Sequence, residues 1–409
     1  MSGPFFDDLE TRDPAAREAA LMAALPAQVA HARAHAPYYA GSLADIDPAA
    51  VATRAALAAL PVTRKSDLIE QQRRVPPFGG LNATPPSGLA RLFASPGPIY
   101  DPEGHGRDWW RFARALHAAG FRRGEVLHNC FSYHLTPAGA MLESAAHAIG
   151  CAVVPGGVGQ TEQQVRAIAD LRPHGYSGTP SFLKIILEKA AELGADVSSL
   201  TKALVSGEAL PPALRQDLAD RGVAVLQCYG TADLGLVAYE SPAREGMIVD
   251  EGVIVEIVRP GTGDPVPDGE PGEVVVTSFN RDYPLVRFAT GDVSAILAGA
   301  SPCGRTNARI KGWMGRADQT TKVRGMFVHP AQIAEVVRRH PEIARARLVV
   351  SGEAGRDQMT LECVTAAPAA GLAERVADTL QSVTKLRGTV AFADAPQAEG
   401  WTATIVDRR

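Results

Sequence analysis

Residues 202–235, KALVSGEALPPALRQDLADRGVAVLQCYGTADLG, decide the fold. KALVSG reads as an apolar strand, PPALRQDLADRG as a helix and VAVLQCYG as a second apolar strand. The same alternation runs back toward the N-terminus. EVLHNCF (125–131) and CAVVPGG (151–157) are short apolar runs separated by the helical PAGAMLESAAHAIG. TEQQVRAIADLRP is predicted to be a helix, with Thr161 and Gln164 close to a capping box. HGYSGTP and the helix SFLKIILEKAAEL then lead into the opening stretch. Strands alternating with helices predict an α/β fold, a sheet layered by helices on both faces.

Beyond Asp233 the texture changes. GMIVDEGVIVEIVRPGTGDPVPDGEPGEVVVTSF (246–279) is rich in valine, with Pro, Gly and Asp turns at short intervals. That pattern predicts antiparallel strands over about residues 236–300, as a small barrel or distorted sheet. From about residue 319 a compact remainder follows: a strand, the helix PAQIAEVVRRHP, the strands ARARLVVSG and DQMTLECVT, the helix LAERVADTLQSVTKL and the strand GTVAFA. The β-α-β-β-α-β order predicts a small ferredoxin-like α+β lobe. Upstream of the alternating core, residues 14–36 and DPAAVATRAALAAL are helical. PVTRKSDLIEQQ predicts a short helix capped by Ser66, and GRDWWRFARALHAAG an amphipathic helix ending on Gly120.

The composition is that of a globular chain. It has 409 residues, 46% hydrophobic and 21% charged, and a net charge of -4 with no basic patch to hold nucleic acid. The acidic start, MSGPFFDDLETRDPAAREAA, reads as neither a secretory nor a transit signal. No apolar run approaches the ~20 residues that cross a bilayer. Five scattered cysteines (Cys130, Cys151, Cys228, Cys303, Cys363) without a Cys-x-x-Cys pair suit a reduced, cytoplasmic protein. His31 and His35 stand at metal-binding spacing, but with no third ligand nearby they read as a helix-surface pair.

TPSFLKII, CYGTADLG, YPLVRFATGDV and GWMGRADQTTKVRGMFVHPAQI, occurring in this order with LPVTRKSDL before them and VDRR after, resemble the adenylate-forming superfamily. The resemblance is to its phenylacetate–CoA ligase branch, and it covers nearly the whole chain. It implies an AMP-binding domain over residues 1–317 and a small mobile domain over 318–409. It also implies ATP or AMP with magnesium, and coenzyme A, as cofactors, with a small carboxylic acid joined to coenzyme A through an acyl-adenylate.

By the same resemblance, Asp292 of Thr-Gly-Asp holds the ribose hydroxyls, a task suited to a carboxylate facing paired donors. Arg316 lies near the ribose and phosphate, and Asp318 is the hinge. Tyr229 and Gly230 lie by the adenine, Thr231 reaches the α-phosphate, and Asp233 stands where relatives carry a magnesium-holding glutamate. Gly207, Glu208 and Ala209 pack along the nucleotide. Phe131, Tyr133, His134 and Tyr176 fall on the segments that line an acid pocket. His134 in place of a small residue implies a smaller or more polar acid. A resident metal is not expected, because of the cysteines that hold zinc in some relatives only Cys303 is present. A homodimer is implied by resemblance alone.

Two segments depart from the family pattern. The phosphate loop, Ser-Ser-Gly-Thr-Thr-Gly-Lys-Pro in relatives, here reads Ala94-Ser95-Pro96-Gly97-Pro98-Ile99-Tyr100. Only Ser95 and Gly97 remain to meet a nucleotide, and two prolines delete backbone donors. Each hydrogen bond to a charged group contributes ~1.5–3 kcal/mol. At the C-terminus, EGWTATIVDRR places Trp401 where relatives carry the adenylating lysine. An indole supplies no positive charge to a transferring phosphoryl group. Two readings stay open: an acyl- or aryl-CoA ligase, or a non-adenylating descendant. The descendant binds an acid, AMP or acyl-CoA as carrier, sensor or assembly partner, or uses a preformed adenylate or thioester.

Overall fold

The computed structural model describes residues 3–408, apart from 96, 318–320, 324–325, 329, 353–356, 367, 395–397, 399–400 and 402–403. The chain divides into two compact units, Met1–Thr290 with Ala295–Gly312, and Gly291–Ser294 with Trp313–Arg409.

The strands of the first unit begin with β1 (Thr63–Arg64), β2 (Arg91–Ser95), β3 (Ile99–Glu103), β4 (Val126–Asn129), β5 (Ala152–Pro155), β6 (Gly175–Gly178), β7 (Lys202–Val205) and β8 (Ala224–Thr231). They continue as β9 (Gly235–Glu240), β10 (Met247–Val249), β11 (Val253–Val258), β12 (Gly272–Ser278), β13 (Phe288–Ser294, of which Gly291–Ser294 belong to the second unit), β14 (Ile296–Leu297) and β15 (Arg309–Ile310). Nine form one sheet, ordered β14-β15-β10-β9-β8-β7-β6-β4-β5. From β5 to β8 the pairing is parallel, as the strand–helix alternation predicts. At β8–β9 it turns antiparallel, with a register shift at Tyr229/Gly230.

The valine-rich region does not close into a barrel. β10 extends the large sheet, whereas β11 and β12 join a second sheet ordered β1-β13-β12-β11. Every residue of β11 and β12 is buried, so these strands are covered on both faces and read as valine-rich runs without strict alternation, interrupted by the buried Glu256 and Glu273.

Three local expectations give way to tertiary contacts. Thr161 is the first residue of the helix Thr161–Leu171 rather than its cap. The Gln164 amide turns inward instead, donating to the Gly157 and Gly159 carbonyls while its oxygen meets His128 Nε2 and Cys130 Sγ. In GRDWWRFARALHAAG only Ala113–Ala118 is α-helical. Asp108 and Arg111 adopt positive φ, and Asp108 Oδ2 accepts the Ala113 amide, so the double tryptophan forms the approach to the helix. Ser66 lies in a 3-10 turn, Lys65–Asp67, ahead of the helix Leu68–Arg74, and its hydroxyl donates to Asp67.

The second unit contains β16 (Thr321–Val323), β17 (Met326–Val328), β18 (Arg345–Ser351), β19 (Gln358–Val364), β20 (Thr389–Ala393) and β21 (Ile405–Asp407), with helices Pro330–Arg339 and Leu372–Thr384. It is an α+β lobe, but its first strand pairs in a separate β16–β17 hairpin. The C-terminal β21 fills the fourth place in the sheet β20-β19-β18-β21. Ile333, Val336, Leu348, Leu361, Val376 and Leu380 form its core. Among the described residues, no helix is long and apolar enough to cross a membrane.

Candidate active site

In a parallel sheet the carboxyl ends of the strands face a crevice where the strand order or direction changes. Here those ends carry the residues singled out in the sequence. Asn129 closes β4, and its amide donates to Tyr133 Oη and the Gly139 carbonyl, both at 2.8 Å. Its oxygen accepts from Ser177 at 2.9 Å. One side chain therefore fixes the whole 129–139 turn. Tyr133 packs against Gly139, where a Cβ would come within 2.8 Å of its ring. His134 is exposed, whereas Phe131 and Tyr176 are buried in core clusters, with Tyr176 Oη donating to the Thr179 carbonyl. Beyond β7, Gly207, Glu208 and Ala209 are exposed, with Gly207 at φ +81°. Glu208 accepts the Ser181 amide at 3.4 Å.

Tyr229 on β8 is buried and donates to Thr290 on β13, which donates on to the Val274 carbonyl. This chain ties CYGTADLG to the strand that carries Thr-Gly-Asp. At the register shift, a Cβ on Gly230 would stand 2.6 Å from the Gly235 carbonyl oxygen, so the turn admits only glycine. Thr231 Oγ1 accepts the Leu234 amide at 3.1 Å and sets the turn that carries Asp233.

Asp233 is completely buried and pairs with Lys65, Nζ to Oδ2, at 2.5 Å. The second carboxylate is Asp101 on β3, also fully buried. Burial, and then the neighbouring Asp233 charge, push the Asp101 carboxyl well above the usual carboxylate range, while Ser95 and Lys65 pull against this. The raised folded-state value of Asp101 means that the native state binds more protons than the unfolded chain above about pH 4, so stability is lost as pH rises through that folded value. Asp101→Asn removes this titration, so its gain in melting temperature over wild type is expected to be small near pH 4 and to grow as pH rises, as read by thermal denaturation across pH.

Ser95 and Gly97 flank the tip of the β2–β3 hairpin. Ser95 Oγ donates to the Ile99 carbonyl, and Gln72 clamps the Tyr100 backbone at both its amide and its carbonyl. Pro96 lies outside the described residues.

In the second unit Asp292 receives Trp313 Nε1 at 3.1 Å and Arg316 Nη1 at 3.4 Å. The Arg316 guanidinium crosses Gly291, where a Cβ would meet it at 2.8 Å. Asp318 lies outside the described residues. Trp401 is 5% exposed and packs in the lobe's own cluster with Val364 and Ala398. The Arg347 guanidinium lies 4.4 Å over its ring, and Arg345 binds the Ala398 and Trp401 carbonyls. Among the described residues no three His, Cys, Asp or Glu side chains converge as a metal cluster. Lys65 and Asn129 were not singled out in the sequence. The only signal for Lys65 was its place in LPVTRKSDL within a chain short of phosphate-binding lysines.

A family model described as AMP-binding enzyme matches residues 112–280. The chain is 33% identical over 359 residues to the phenylacetate-coenzyme A ligase of Thermus thermophilus, covering 83% of this chain and 79% of the relative. It is 30% identical over 352 residues to that of Aromatoleum evansii, covering 82% and 78%. An open conformation of 2-hydroxyisobutyryl-CoA ligase, solved with its acyl-adenylate and CoA, superposes with a TM-score of 0.89 at 22% identity, covering 99% of this chain and 95% of that one. With strand direction reversing at β8–β9 and the nucleotide-type motifs on the adjoining turns, the chain belongs to the AMP-binding enzymes, in the branch of the phenylacetate-coenzyme A ligases.

Proposed function

We propose that the protein joins a small carboxylic acid to coenzyme A in two steps. In the first, the acid's oxygen attacks the α-phosphorus of ATP and pyrophosphate leaves. In the second, the coenzyme A thiol attacks the acyl carbonyl and AMP leaves. The observation that carries this reading is the convergence of the 129–139 turn, Gly207–Ala209 and Thr231–Asp233 at the carboxyl ends of the parallel strands. Tyr229 and Gly230 flank the adenine, Asp292 takes the ribose hydroxyls, Arg316 lies by the ribose and phosphate, and Thr231 faces the α-phosphate. Residues 1–317 and 318–409 act as the two domains about the Asp318 hinge.

Asp233 and Asp101 suit magnesium carried in with the nucleotide, because they offer hard oxygen donors and leave most coordination places to phosphate and water. When bound, that ion neutralises charge on the leaving pyrophosphate. The side chains of Tyr133 and His134 favour a compact aromatic or polar acid. The protein acts in the cytoplasm, and the pairing of two chains is part of the same proposal.

Pyrophosphate exchange into ATP with a panel of aryl and short-chain acids tests the reading, together with thioester formation. Acid-dependent exchange is the expected result. The loss of the lysine and threonines from the loop sequence, Pro98 immediately before β3 and the buried Trp401 favour a second reading, the non-adenylating descendant. Binding of AMP or acyl-CoA without exchange for any acid would establish it instead.

A further inference from the structure

Lys65, Asp101 and Asp233 come from three distant segments and meet at the root of the β2–β3 hairpin. Lys65 follows β1, Asp101 lies on β3 directly beyond the hairpin tip, and Asp233 lies on the turn between β8 and β9. The grouping is costly to bury. Neither carboxyl side chain is exposed, and three of their four oxygens, Asp101 Oδ1 and Oδ2 and Asp233 Oδ1, make no hydrogen bond of ordinary geometry. A buried ion pair retained for stability alone is matched or bettered by apolar side chains of the same volume. Unsatisfied carboxylate oxygens in a strand-end crevice are instead the donors that an oxygen-seeking divalent cation needs.

Lys65 is suited to move. Its ammonium is a point charge on a flexible four-carbon stem, and its side chain is 24% exposed while that of Asp233 is not exposed at all. It therefore reaches Asp233 from the open side. The hairpin beside it lacks lysine and has Pro98 where a backbone donor would serve a phosphate. Trp401, held in the small lobe's own core, brings no cation either. A positive charge for the polyphosphate is needed, and Lys65 stands beside the loop that lacks one.

We propose that Lys65 is the phosphate-directed cation of this site. It rests on Asp233 in the nucleotide-free protein and swings to the β- and γ-phosphates when nucleotide-borne magnesium takes its place on the Asp233 and Asp101 carboxylates. This rests on the ligase reading above and assigns the part of the nucleotide that the altered hairpin leaves without a partner. No covalent bond is made or broken in the exchange. One cation replaces another on the carboxylates, and the displaced ammonium pairs with phosphate oxygen.

Calorimetric titration of wild type, Lys65→Met and Lys65→Arg with AMP, magnesium-free ATP and magnesium-ATP tests it. Lys65→Met is expected to weaken magnesium-ATP roughly 10- to 100-fold, the range of a lost hydrogen bond to a charged group. AMP affinity should stay within about twofold, since AMP carries no β- or γ-phosphate. Lys65→Arg should recover most of the magnesium-ATP affinity by retaining the charge. Unchanged magnesium-ATP affinity in Lys65→Met overturns the assignment of Lys65 and leaves the ligase reading intact. Equal weakening of AMP and magnesium-ATP also overturns it, because that pattern marks a deformed site. Wild-type protein that binds AMP but not magnesium-ATP overturns both.

Discussion

Trp401→Lys is expected to destabilise the C-terminal lobe by about 3–5 kcal/mol, the usual cost of deleting a large buried aromatic, and to leave pyrophosphate exchange unimproved. From the sequence this substitution looks like a repair, since relatives carry lysine at the position. The structure gives the indole another role. It is 5% exposed, packs on Val364 and Ala398, and lies beneath the Arg347 guanidinium at 4.4 Å. A lysine there would lose the apolar contact and the cation–π attraction, and would set an ammonium beside Arg345 and Arg347. Differential scanning calorimetry, with hydrogen exchange over β18 and β19, reads the effect. A lobe of wild-type stability together with gained exchange would refute it. Trp401→Phe, which keeps an aromatic face, should lose less than half as much.

Arg287→Met is expected to cost the first unit about 3–5 kcal/mol, the scale for breaking a buried ion pair from one side. All five guanidinium N–H groups are used. Nε and Nη2 grip the two oxygens of Glu256 at 3.1 Å, Nη1 donates to the Ala58 and Leu60 carbonyls, and Nη2 also reaches the Gly263 carbonyl. Its backbone carbonyl accepts the Thr63 amide and its amide donates to Thr277, so the N-terminal segment, β11, β12 and β13 meet at one residue. Lysine cannot replace a planar five-donor fork. Arg287→Lys should therefore recover little, whereas Arg287→Met with Glu256→Gln should recover part by removing the stranded carboxylate. Urea denaturation of the four proteins gives the comparison. A single variant within about 1 kcal/mol of wild type would show that the network is redundant.

The strand–helix alternation was legible where a short apolar strand is followed by a periodic helix within one local window, as at β5 and β7, whereas β6, Gly175–Gly178, reads GYSG and carries no apolar run to mark it as a strand. The antiparallel region was legible as strands, but not as two sheets. Whether β10 stays with β9 while β11 leaves for β12 depends on partners far along the chain. Local rules failed where a buried partner offered more than a local one. Gln164 could have capped its own helix, yet it serves two loop carbonyls and His128. Asp108 breaks a periodic helix to place Trp109 against Asp282 and Trp110 in the core. The acid-pocket candidates divide in the same way. Tyr133 and His134 were recognisable from the segment they occupy, but nothing local says that Phe131 and Tyr176 face the core.

By itself the sequence determined the class of fold, the family motifs and the two places where this chain departs from its relatives. Composition, periodicity and ordered short motifs are local or additive properties, so they survive without coordinates. Only the tertiary structure decided what the departures mean. It buries Trp401 in the lobe rather than leaving a gap where a lysine was lost. It also brings Lys65 to Asp233, 168 residues away, beside Asp101. Charge, protonation and reach at such a site depend on which groups share a desolvated volume, and chain spacing does not encode that.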